Sequence, residues 1–110
     1  MHRKQIKPTP AINIYPWMVA LRLKGADLLI YATIYNFEMY DQGWSRLAQT
    51  IGMTEAGTIR AVQRMMRNGY VEKIRQGVSC KVTNCFRVIV PDGIQAHYSS
   101  WEEVWRDIEL

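Results

Sequence analysis

Arg60, Gln63, Arg64 and Arg67 recur at helical spacing in the middle of the chain. A guanidinium is a planar fork of donors suited to paired hydrogen bonds on an anion or a base edge, and a glutamine amide both donates and accepts. Lys73, Arg75, Lys81 and Arg87 follow, so residues 57–90 hold seven bases against a single acid, Glu72. A basic segment of this kind fits the binding of a polyanion. Bond-breaking chemistry has no comparable support. The sequence has no Gly-rich phosphate loop, no His-Glu-x-x-His run and no nucleophile elbow. Glu102 and Glu103 are adjacent carboxylates, but they stand where a helix start uses acids. No catalytic residue, no cofactor and no small-molecule substrate are therefore expected.

Metal binding is not expected either. Cys80 and Cys85 lack a second pair, and His2 and His97 are solitary. Two cysteines do not make a disulfide framework, and both are expected as reduced, half-buried strand residues. The remaining charge is segregated. Residues 1–7 carry Arg3, Lys4 and Lys7 with no acid, whereas residues 91–110 carry Asp92, Glu102, Glu103, Asp107 and Glu109 against Arg106. The net charge of +4 over 110 residues hides that asymmetry. With 48% apolar and 22% charged residues, the chain is expected to fold around one core. No apolar run reaches the ~20 residues of a membrane helix, and the basic N-terminus lacks an apolar stretch behind it. A cytoplasmic protein with no membrane partner is the expectation.

The basic residues need elements to hold them. Residues 1–11 read as a basic extended arm, since Pro8 and Pro10 block a helix. Ile12, Ile14 and Tyr15 form a short strand or lie on the core. Pro16 suits the first turn of a short helix over residues 17 to about 22, broken by Gly25. Residues 26 to about 40 read as a helix that is apolar nearly all round, with Asp27 in its first turn. Either the two ends of the chain wrap it or a second subunit covers one side. After the Asp41-Gln42-Gly43 turn comes a short helix, residues 44–51, with Leu47, Ala48 and Ile51 on one face. Gly52 turns the chain, Thr54 caps a third helix over residues 55–68, and Gly69 closes it. Residues 70–75 and about 81–90 alternate as two strands around Gln76-Gly77, with Phe86, Val88 and Val90 on one face. Beyond Pro91-Asp92-Gly93, Ser100 and Glu103 form a capping box for a last helix. Its stripe of Trp101, Val104, Trp105 and Ile108 must dock on something, because ~9 residues do not hold a helix alone.

At about 100° per residue, two registers of the third helix bury an apolar face. In one, Thr58, Ala61, Val62 and Met65 face the core, so Ala56, Arg60, Gln63 and Arg67 project opposite with Arg64 beside them. In the other, Ile59, Val62 and Met66 face inward, and Gly57, Arg60 and Arg64 project. Arg60 points outward in both. Spacing alone leaves both open.

Residues 44–90 resemble the winged helix-turn-helix family. The likeness lies in Leu47-Ala-Gln-Thr-Ile-Gly-Met-Thr54, the helix after it, Gly69-Tyr-Val, and Thr83-Asn84-Cys85-Phe86-Arg87-Val88, which looks like the family's wing strand. The placing of Val62, Met65 and Gly69 also resembles the family's, and this favours the first register. Trp17-Met18, Leu21, Leu23 to Leu28 and Leu29 to Phe37 look like the N-terminal domain of replication initiators of phages and conjugative elements in Gram-positive bacteria. That similarity spans residues 12–90. Gly57 stands where such helices often carry Thr or Ser.

The resemblance implies a mainly α fold with a C-terminal β-hairpin (α+β). It would be a winged helix-turn-helix domain over residues 12–90 with an extra N-terminal helix, followed by a linker and acidic amphipathic helix over 91–110. It implies sequence-selective binding of double-stranded DNA by a small replication or transcription regulator of a mobile genetic element. The third helix, with Ala56 on its outer face, would lie in the major groove. Arg60 would then read guanine and Gln63 adenine, while Arg64, Arg67, Lys73, Arg75 and Lys81 meet phosphates. Arg3, Lys4 and Lys7 are either a minor-groove arm or a solvated tail. A homodimer would match a palindromic site, with Trp101, Trp105 and Ile108 as its contacts. The alternative is a winged helix that binds a protein, as an adaptor or inhibitor of a host protein, and not DNA.

Overall fold

Pro16 fixes the φ of the first helical position and lacks the N–H that would have no partner there, so the chain turns into α1 (Pro16–Val19). The computed structural model describes residues 12–37, 40, 43–74 and 85–108. Among them the order is α1, α2 (Gly25–Asn36), α3 (Trp44–Ile51), α4 (Glu55–Arg67), β1 (Val71–Ile74), β2 (Cys85–Val88), α5 (Ile94–His97) and α6 (Trp101–Ile108). The architecture is mainly helical with one small antiparallel sheet. None of the described helices is long and apolar enough to cross a membrane.

The core is built around α2. Ile30, Tyr31, Ala32, Thr33 and Ile34 are five consecutive buried residues. Such a run is accommodated only where neighbours lie on every side, and α1, α3, α4 and β2 all pack on this helix. The apolar circumference is thus covered largely by the chain itself, with Leu29 and Phe37 left partly in water. Trp17 packs edge-on against Tyr31 and Tyr35, which seats α1 on α2. Ile12 and Ile14 lie on the core without strand pairing.

Three boundaries differ from expectation. The first turn is made earlier than Gly25: Arg22 adopts φ 63°, and Gly25 itself is the first residue of α2. The second helix stops at Asn36, four residues short. There the Asn36 amide donates to the Ala32 carbonyl at 2.6 Å and to the Asn13 carbonyl at 3.0 Å, tying the helix end to the incoming chain. Tyr40, expected at the helix end, instead exchanges backbone hydrogen bonds with Phe86 at 2.7 and 2.9 Å, and so adds a bridge to the outer edge of β2. The third difference is α5, a single turn that packs Ile94 and Tyr98 against the core.

β1 and β2 pair antiparallel in the register Val71↔Val88, Glu72↔Arg87, Lys73↔Phe86 and Ile74↔Cys85. Val71 and Phe86 are buried on the face that meets the helices, and Trp44 of α3 stacks obliquely on Phe86. Cys85 is disulfide-bonded, which corrects the expectation of two reduced thiols. A compartment argument sets which thiol pairs stay reduced; it says nothing of whether the fold brings two sulfurs together. Cys80, the chain's other cysteine, lies outside the described residues.

The C-terminal stripe divides. Val104 is fully buried and Ile108 partly so, while Trp101 and Trp105 face water. Half of the capping box forms: the Glu103 N–H donates to the Ser100 Oγ at 3.4 Å. The Glu103 carboxylate accepts instead from Arg106, one turn on. Arg22 donates to the Asp107 carbonyl at 3.4 Å, so the strained turn after α1 is tied to the end of α6. Tyr98 donates to the Asp107 carboxylate at 2.6 Å, and that bond raises the tyrosine's pKa.

Candidate functional site

α3 packs on α4, and the small side chain of Ala48 in α3 is buried. Gly52, at φ 82°, reverses the chain after α3, a conformation that costs a glycine nothing. The Gly52 and Met53 N–H groups both donate to the Ala48 carbonyl. Thr54 then caps α4, its Oγ accepting from the Gly57 N–H at 3.1 Å. At the far end the Gly69 N–H reaches the Met66 carbonyl and the Tyr70 N–H the Met65 carbonyl, with Gly69 at φ 82°. This closes the helix in a Schellman motif and starts β1 directly against it. Both ends of α4 are therefore fixed, and its exposed side has a defined direction.

Thr58, Ala61, Val62 and Met65 are buried. This is the first of the two registers. Ala56, Arg60, Gln63 and Arg67 are exposed on the opposite side, a stripe at intervals of four, three and four residues. Near its start the Arg60 guanidinium lies 4.0 Å from the point where a Cβ on Gly57 would stand. The side chain thus leans back over the turn before its own Cα.

Arg64 flanks the stripe and has a fixed partner. Its Nη2 donates to both carboxylate oxygens of Asp27, at 2.7 and 2.9 Å, across 37 positions of sequence. Asp27 belongs to the first turn of α2, and its role beyond the helix dipole is one that sequence reasoning missed. Arg67 and Arg64 also stand in the last turn of α4, where cations offset the carbonyl end of the dipole.

Of the hairpin's basic residues, Lys73 and Arg87 are among the described ones. Lys73 is exposed and shares a ladder face with Phe86, away from Glu72 and Arg87. Arg87 pairs across the strands with Glu72 at 3.3 Å. Arg75 and Lys81, together with Arg3, Lys4 and Lys7, lie outside the described residues. Arg60, Gln63 and Arg67 are thus grouped on one helix, with Arg64 at its margin and Lys73 on the next element.

An open groove of about 390 Å³ is lined by Tyr15, Tyr35, Asn36, Arg87, Val88 and Val90, none of them on α4. Three of its polar side chains are already engaged: Asn36 with Ala32 and Asn13, Tyr35 with Gln95, and Arg87 with Glu72. Among the described residues no group of three or more His, Cys, Asp or Glu side chains is placed to hold a metal.

No protein-family model, curated protein or solved structure matches the chain.

Proposed function

We propose that the chain is a winged helix-turn-helix protein that binds double-stranded DNA with sequence preference. α4 is the recognition helix and β1–β2 the base of the wing. One observation carries the reading: Ala56, Arg60, Gln63 and Arg67 form an exposed stripe on a helix anchored at both ends, opposite a fully buried face. A helix presented in this way fits the major groove, and its N-terminal half reaches the base edges. Arg60 is the base-reading arginine, held near the start of the helix over Gly57. Arg64, Arg67 and Lys73 meet phosphates. The role we assign, a replication or transcription regulator of a mobile element, rests on the resemblance of residues 12–90 to replication initiators noted in the sequence.

The test is duplex selection from a random pool, followed by affinity measured against salt. Three phosphate contacts, from Arg64, Arg67 and Lys73, give a slope of about −2.7 in log K against log salt. A chain without duplex affinity at low salt would overturn the reading.

The exposed Trp101 and Trp105 favour a protein contact as well. We assign that contact to a second copy of the chain, since a two-fold dimer matches two half-sites on DNA.

A further inference from the structure

We infer that Asp27 is a positioning residue for Arg64, holding its guanidinium oriented to receive a backbone phosphate of duplex DNA; this rests on α4 being the DNA-contacting helix. A free arginine samples many rotamers and loses that freedom on binding. The pair with Asp27 restricts Arg64 before DNA arrives. A single nitrogen, Nη2, serves both oxygens of Asp27. The Nε and Nη1 donors have no partner among the described residues, and the side chain is 48% exposed. Asp27 is the better shielded member, at 20%, and is anchored on α2. The pair is therefore a carboxylate fixed in the scaffold and a guanidinium with its remaining donors turned to solvent. An oriented guanidinium of this kind suits the fork geometry of a phosphate.

The charge makes the inference decidable. Asp27→Asn raises the net charge from +4 to +5, and a loosely acting electrostatic surface would then bind duplex more tightly. Positioning demands the opposite sign. Asp27→Asn should bind about two- to tenfold more weakly, the range that ordering one long side chain supplies. That loss should vanish when Asp27→Asn is made in an Arg64→Ala background, a result that a general weakening of the fold does not give. Asp27→Glu keeps the charge but moves the carboxylate outward, and it should also weaken binding; it is the second variant should Asn melt the domain. Unchanged or tighter binding by a folded Asp27→Asn, with Arg60-dependent preference intact, would overturn the inference and leave the proposed function standing. Absence of duplex binding by the wild-type chain would remove both.

Discussion

The Tyr31 hydroxyl donates a 2.9 Å hydrogen bond to the Ile89 carbonyl, joining the middle of α2 to the chain just after β2. Tyr31 is fully buried whereas Ile89 is exposed, so it is the tyrosine hydroxyl that depends on this bond for a partner. Burial first, and the nearby Tyr35 second, push the Tyr31 pKa well above its usual 10.0. The folded state therefore favours the neutral phenol. The stabilisation is fully present below pH 10 and drains away as the pH rises beyond it, since the unfolded tyrosine ionises first. Tyr31→Phe should cost about 0.5–1.5 kcal/mol at neutral pH. The difference between wild type and variant should shrink above pH 10, as urea unfolding at a series of pH values would record.

Thr54 is the second anchor. Its Oγ caps the Gly57 N–H, and its carbonyl accepts from both the N–H and the Oγ of Thr58. Thr54→Ala removes only the cap and should lower stability by about 1 kcal/mol. Thr54→Ser, which keeps the oxygen, should restore most of it. Thermal unfolding of the two variants side by side checks this.

The helix period narrows the inward face of α4 to two registers, and the resemblance to winged helices selects the one built on Thr58, Ala61, Val62 and Met65. Thr54 and Gly69 mark its ends, because caps are local chemistry. The bridge from Tyr40 to Phe86 is not local. It joins residues 46 positions apart, and nothing near Tyr40 announces it. The Arg64–Asp27 pair likewise depends on where α2 crosses α4. α5 is one turn long, too short for a period to emerge. The tryptophan stripe shows the other limit. Helical spacing places Trp101, Val104, Trp105 and Ile108 together, but only the fold reveals that the aliphatic pair docks and the rings stay outside.

Arg60 tests the recognition helix. The side chain is exposed, so Arg60→Ala should leave unfolding unchanged. On duplex it should cost about 1–3 kcal/mol and relax preference at one base position. Arg67→Ala should instead weaken all sequences alike and reduce the salt slope by about 0.9. Repeating the pool selection with each variant separates the two behaviours.

Trp101 and Trp105 stack with ring centroids 5.9 Å apart and planes 26° from parallel, yet they remain 41% and 60% exposed. Their contribution to the fold should be small, because Val104 seats α6 on the core. Val104→Ala should cost about 1.5–3 kcal/mol, the transfer of the lost methyl groups plus the void they leave. The double substitution Trp101→Ala, Trp105→Ala should change stability far less. Self-association is where it should act. Sedimentation over rising concentration should show wild-type chains pairing and the double variant staying monomeric, with cooperative filling of two half-sites lost along with the rings. Wild-type chains that stay monomeric, alone and on paired half-sites, would remove the second copy as the partner of this face.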